Sequence, residues 1–300
     1  MGTSVGIQLG ILLLIFIAYM ISSTTGLEKG IKFLSNLNLG LALILLLFVF
    51  FVGPGVFILE AFTLAIGDYL SNFIQYSLRM QPYVGGTWVR DWTIFYWAWA
   101  IAWSPFVGAF VARVSKGRTI REFIFGVMII PPLIACIWIA VFGGTALWYD
   151  LHAGAGIAEA VHQDLTTALF TTYEYLPFEA VVSVLSILLI LTFLVTSADS
   201  ATYILASMTL NGSMDPPTYA KFVWGILMSA IAGVLLYAGG LEALQTASLI
   251  AALPFTVLLL LLILAVIKLL RKEPLPIRKS DVKRFRRLAE AVKREKEKNR

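Results

Sequence analysis

Four tryptophans crowd the run Trp92-Thr93-Ile94-Phe95-Tyr96-Trp97-Ala98-Trp99-Ala100-Ile101-Ala102-Trp103-Ser104-Pro105, an apolar stretch long enough to enter a bilayer. Residues three or four apart share a helix face. Trp92, Trp99, Trp103 and Phe106, at intervals of seven, four and three, therefore line one stripe, and Trp97 lies away from it. Tryptophan at the ends of a membrane helix is belt material; tryptophan through the middle needs another account. Indole faces turned to an interior cavity hold a cation without any acidic group. That chemistry suits quaternary ammonium compounds, which have no N–H to donate. Packing is the commoner use of a buried tryptophan. Four in one span, with Ser104-Pro105 and Gly108 expected to bend the helix and free backbone carbonyls, fit the interrupted helices at the binding level of transporters better.

A second constellation is Phe193-Leu194-Val195-Thr196-Ser197-Ala198-Asp199-Ser200, reached after a long run of Val, Leu and Ile. An isolated membrane hydroxyl bonds back to the preceding turn and does nothing more. Two adjacent hydroxyls, an acid and a third hydroxyl within about one turn supply oxygens at the density a hard cation such as sodium needs, by analogy with other hard ions. An acid inside a membrane segment is expensive and functional by default. The plainer readings of Asp199 are a charge at the cytoplasmic mouth or one paired with a basic loop residue.

The elements that would position these groups are membrane helices. The 300 residues are 59% hydrophobic and 14% charged, the composition of an all-α polytopic membrane protein rather than a soluble domain. The single Cys136 excludes a disulfide framework within the chain and a cysteine-based metal site. His152 and His162 are ten residues apart, which fits no metal pattern and reads as surface. The formal charge of +5 is weighted toward the last thirty residues; in a membrane protein it bears on topology and does not call for a nucleic-acid partner. Seven apolar runs reach the roughly 20 residues a span requires, at about 5–25, 37–58, 92–112, 122–142, 180–210, 218–238 and 247–270. Pro131-Pro132 is expected to kink the fourth. Leu70, Phe73, Ile74 and Ser77 recur at helical spacing and predict an amphipathic interfacial helix over 67–79. Segment 143–178 reads as a long polar loop.

If the spans alternate, Lys29 and Lys32, the turn Arg113–Arg121, and the tail basic residues from Arg271 onward share one side, the cytoplasmic one. The C-terminus is then inside and the N-terminus outside, with no charge in residues 1–10 to set it there. Spans missing upstream are the simplest account, and a chain lacking them is expected not to transport by itself. The tail from Ser280 carries Phe285, Leu288, Ala289 and Val292 on one helical face; it either lies on the anionic leaflet lipids or is a solvated topology signal.

Trp92 through Trp99, Trp103-Ser104-Pro105-Phe106-Val107-Gly108, Arg113 through Phe123, Thr196-Ser197-Ala198-Asp199-Ser200 and Gly26 through Asn38 together strongly resemble the betaine/choline/carnitine transporter family. The resemblance covers nearly the whole chain. It implies part of a LeuT-like inverted-repeat fold: residues 1–60 as the last two helices of a first repeat, 61–91 as the amphipathic linker, 92–270 as a complete second five-helix repeat and 271–300 as a basic cytoplasmic tail. By the same resemblance Trp97, Trp99 and Trp103, with Tyr96, line the substrate ammonium. Phe193, Thr196 and Ser197 lie on a sodium-site helix, and Phe106 stands at a second ion site. The implied activity is ion-coupled uptake of betaine, choline, carnitine or a similar osmoprotectant across the cell (inner) membrane, by a symporter that works by alternating access. Sodium is favoured over a proton, no cofactor is needed, and a homotrimer is the implied assembly. The family often has a further tryptophan where this chain has Ala100, which opens the cage. The rivals are a non-transporting sensor on the same scaffold and a membrane-embedded enzyme built on Asp199.

Overall fold

The computed structural model describes residues 4–24, 28–80, 83, 85–213 and 215–272. The proposed tail helix from Ser280 lies outside them. Every regular element among the described residues is helical, and seven helical stretches have the length and apolarity to cross a bilayer: Val5–Ser23, Phe33–Val52, Val89–Ala112, Ile120–Ala153, Glu179–Thr209, Thr218–Gly240 and Glu242–Leu270. With a chain in hydrocarbon, only intrahelical bonding satisfies the backbone of such segments. The chain is a multi-pass, all-helical membrane protein.

Two compact units divide it at Ala252. In the first, helix α1 spans Val5–Thr24 and α2 spans Glu28–Val52. The second span was expected to reach residue 58; it stops at Val52 because Gly53-Pro54 follows. Proline cannot donate and pushes its predecessor out of the α region. Gly53 also sits so close to the last turn of α2 and to the fourth span that an added Cβ would meet the Val49 carbonyl at 2.6 Å and Thr145 Oγ1 at 3.2 Å. Helix α3, Gly55–Ser71, then begins well before the amphipathic helix predicted over 67–79, and that helix is broken at Asn72. There Nδ2 donates to the Asp68 carbonyl and carboxylate at 3.2 and 2.9 Å, and α4, Phe73–Ser77, completes the element.

After a π-helical turn at Val89–Ile94 comes α5, Phe95–Val114. Thr119 and Glu122 cap α6, Ile120–Met128, reciprocally, with bonds of 3.3 and 3.0 Å between each side chain and the other's backbone N–H. The fourth span breaks at Ile129, where Pro131-Pro132 withhold two backbone donors, and resumes as α7, Ile130–Ala153. That extent corrects the reading of 143–178 as one polar loop. Gly143-Gly144 lies inside α7, with Gly144 buried against Ile58 of α3. The rest of the segment is α8, Ile157–Gln163, a 3-10 turn at Leu165–Thr167, and α9, Ala168–Tyr173. Asp150 accepts the Ile157 N–H at 2.7 Å and fixes the turn between α7 and α8.

Helix α10, Glu179–Thr209, is the central element: α1, α2, α5 and α9 all pack on it. Leu45, Val49, Ile58, Val141, Phe142, Tyr173, Val182 and Leu189 form one core, and Tyr19, Met20 and Val195 a second where α1 meets α10. Helix α11 runs Thr218–Leu270 with a kink at Gly239-Gly240 that separates the last two spans. Gly240 has φ +59°, ψ −138°, a conformation open to glycine alone. The described part of the second unit, from Leu253 onward, is the apolar end of this helix, its Leu, Ile and Val side chains largely exposed.

Candidate functional site

On α5 and the π-turn before it, rings stack along one face. Trp92 lies parallel to Tyr96 at 6.0 Å, Phe95 to Trp99 at 6.4 Å and Trp99 to Trp103 at 6.2 Å, while Tyr96 meets Trp99 edge-on at 5.9 Å. Spacings of four residues explain the three stacked pairs. The ladder includes Tyr96 and Phe95 but not Trp97, which points off another face and is 65% exposed. Trp99 and Trp103 are 46% and 55% exposed. The structure thus does not gather Trp97, Trp99 and Trp103 around one point: it gives a continuous aromatic wall and one separate indole. Phe106 continues the stripe half-buried, outside the ring pairs.

The helix does not open at Pro105, as the sequence led us to expect. Pro105 cannot donate to the Ile101 carbonyl, but the Ser104 hydroxyl does so at 2.9 Å, and α5 passes through unbroken. The Ile101 carbonyl that the proline leaves free is taken by Ser104.

The oxygen cluster on α10 divides into groups with different surroundings. Thr196 Oγ1 donates back to the Thr192 and Phe193 carbonyls, at 3.0 and 2.9 Å, and Ser200 Oγ donates to the Thr196 carbonyl at 2.9 Å. Ser197 is exposed and its hydroxyl makes no hydrogen bond among the described residues. Phe193 is exposed beside it. Asp199 is 3% exposed and accepts from Ser22 Oγ of α1 at 2.6 Å. Lys221 of α11 is the cation near enough to act on it; its ammonium lies 5.5 Å from the Tyr203 ring. Asp199 is therefore a buried tie between helices. No group of three His, Cys, Asp or Glu among the described residues could hold a metal. His152 stacks on Trp148 with ring centres 5.2 Å apart.

One participant escaped the sequence reading. Asn38 of α2 is 5% exposed, and its Nδ2 donates to Thr196 Oγ1 at 3.3 Å. It sits in Ser35-Asn36-Leu37-Asn38, near the start of a span, where an asparagine reads as an interfacial residue. Only the packing of α2 on α10 shows otherwise. α5 packs on α10 as well, so the aromatic wall and the hydroxyl cluster stand on adjacent helices.

The family described as BCCT, betaine/carnitine/choline family transporter, matches residues 1–275. The ectoine/hydroxyectoine transporter of Virgibacillus pantothenticus is 62% identical over 270 residues, 90% of this chain and 54% of that protein. The glycine betaine transporter OpuD of Bacillus subtilis is 44% identical over 277 residues, 92% and 54% of the two chains. A probable glycine betaine transporter of Desulfitobacterium hafniense is 44% identical over 266 residues, 88% and 53%. This chain spans about half the length of these relatives. The match along nearly its whole length, on helices that carry the aromatic wall and the α10 hydroxyls, places the chain in the betaine/carnitine/choline transporter family, a family of transporters and not of enzymes.

Proposed function

We propose that the chain contributes an aromatic wall and hydroxyl oxygens to the solute and ion sites of a secondary transporter for compatible solutes that pair a cation with a carboxylate, coupled to sodium and working by alternating access in the cell membrane. The aromatic ladder of Trp92, Tyr96, Trp99 and Trp103 is the observation that carries this reading. A ring face that no neighbouring ring covers attracts a cation, worth about 0.5–2 kcal/mol depending on desolvation, and the ladder concentrates such rings on one side of α5. Ala100 widens the space beside Trp99. A flat amidinium ring such as ectoine's fits that space at least as well as a trimethylammonium group, and the 62% identity to an ectoine/hydroxyectoine transporter supports the same preference. Thr196 and Ser197 supply oxygens for sodium one helix away.

The test grafts this chain in place of the matched segment of the Virgibacillus pantothenticus transporter, in a bacterium without osmolyte uptake. Labelled ectoine is expected to accumulate in sodium and not in potassium medium, ahead of choline. Trp99→Ala and Trp103→Ala each lower uptake at limiting substrate by about 2- to 30-fold, the range a single cation–π contact implies. Trp97→Ala, on the other face, costs less. Unchanged uptake in both Trp99 and Trp103 variants refutes the aromatic site.

A further inference from the structure

We infer that Asn38 is a ligand of the transported cation, its amide oxygen completing the set begun by Thr196 and Ser197; the inference rests on the sodium reading of α10 given above. Asn38 Oδ1 is the buried side-chain oxygen or nitrogen left without a hydrogen-bond partner among the described residues. Buried polar side-chain atoms are nearly always satisfied, so an exception calls for its own account, of which ion binding is one.

The orientation of the amide is fixed by its neighbour. Thr196 Oγ1 has one proton, and carbonyls of the preceding turn, Thr192 and Phe193, take it. Toward Asn38 that hydroxyl can only accept, so the amide must present its NH₂ there, at 3.3 Å. An amide oxygen is a hard, neutral ligand of the kind alkali and alkaline-earth cations take. Two oxygens sharing a cation at about 2.4 Å each lie at most about 5 Å apart, a separation that the short amide bridge to Thr196 permits. The second lone pair of Thr196 Oγ1 and the unbonded hydroxyl of Ser197 remain for the same ion. Asn38 comes from α2, so a cation held this way ties α2 to α10 at the level of Thr196.

A purely structural role is separable, because the two ends of the amide do different work. Asn38→Asp keeps an oxygen and loses the N–H donated to Thr196; Asn38→Ala loses both. The probe is sodium chloride, exchanged for potassium chloride at constant total salt. The readout is the unfolding midpoint of the purified 300-residue chain in lipid nanodiscs, since a ligand that binds the folded state raises it in proportion to occupancy. Sodium should raise the midpoint of the wild type. In Asn38→Ala the half-saturating sodium concentration should rise at least about ten-fold, and in Asn38→Asp it should stay near the wild-type value or fall. An unchanged half-saturation in Asn38→Ala overturns the inference, and so does an Asn38→Asp variant as impaired as Asn38→Ala. If Asn38→Ala gives no cooperative transition, Asn38→Asp against wild type decides alone. Thr196→Ala and Ser197→Ala distinguish the two levels of failure. Sodium sensitivity absent from the wild type, or untouched by both of these substitutions, brings down the sodium reading itself. Sensitivity that they abolish and Asn38→Ala spares brings down only the role of Asn38.

Discussion

Thr196 and Asp199 lie three residues apart on α10, and each is answered by a different helix: Asn38 of α2 at Thr196, Ser22 of α1 at Asp199. The acid was legible from the sequence, because a carboxylate amid Val, Leu and Ile has no cheap explanation. Its partner was not, because Ser22 is 177 positions away and a serine in an apolar run signals nothing by itself. Asp199→Ala removes the Ser22–Asp199 hydrogen bond and is expected to destabilise the purified protein by about 1–3 kcal/mol. Asp199→Asn keeps an acceptor oxygen in place and should cost less. Unfolding midpoints of the two variants against wild type check the order; equal losses would mean that the charge, not the hydrogen bond, holds α1. Tyr173, outside the spans, gives a second residue-level expectation. Burial pushes its phenol above the ordinary tyrosine value, partly offset by the hydrogen bond shared with Ser186 at 2.8 Å. A raised value means the folded state holds the proton more tightly than the unfolded one. That stability is fully present below about pH 10, the unperturbed value. It is lost as pH climbs through the folded value. The stability difference between wild type and Tyr173→Phe should therefore shrink at alkaline pH; a constant difference up to pH about 11 counts against it.

Helices were the most legible level, and their ends the least. Apolar runs of about 20 residues announce spans because lipid tolerates little else. Where they stop depends on contacts that composition does not carry. Gly53-Pro54 ends α2 early because Thr145 of α7 comes against it, and Ser104 lets α5 continue past Pro105. The segment 143–178 looked polar by count, yet its first eleven residues extend α7, since Gly143-Gly144 admits α3 rather than breaking the helix. The same logic makes Gly225 a testable position. Tyr19 of α1 donates to the Gly225 carbonyl at 2.7 Å. A Cβ at Gly225 would run into Met20 Sδ and stand 3.4 Å from the Tyr19 ring. Methionine is flexible enough to yield to one methyl, so Gly225→Ala should be mild. Gly225→Val, which must also displace the tyrosine, is expected to cost about 1–3 kcal/mol in the unfolding midpoint. A Gly225→Val protein as stable as Gly225→Ala would show that α1 and α11 separate freely there.

At the scale of the whole molecule the argument concerns sides. If Val89–Ala112, Ile120–Ala153, Glu179–Thr209 and Thr218–Gly240 each cross the bilayer, the segments that join them alternate between its two faces. Lys116, Arg118 and Arg121 lie in or beside the short turn between the first two, a capped turn closed by Gly117 at φ +87°. Glu159, Asp164 and Glu174 lie in the segment between the second and third. Short loops rich in lysine and arginine stay on the cytoplasmic side, while acidic residues carry little weight. The turn at 115–119 and the 210–217 connection should then face the cytoplasm, and 154–178 the opposite side. Cys136 is the chain's single cysteine. Replacing it with serine gives a blank background for Lys116→Cys, Asp164→Cys and Ser213→Cys. A thiol reagent that cannot cross membranes should label Asp164→Cys in intact cells, and Lys116→Cys and Ser213→Cys only in inverted vesicles. Labelling of Lys116→Cys and Asp164→Cys from one side would mean that the kink at Ile129 turns the fourth span back before it crosses. The seven-span topology, and with it the cytoplasmic placement of the chain's basic segments, would then fail.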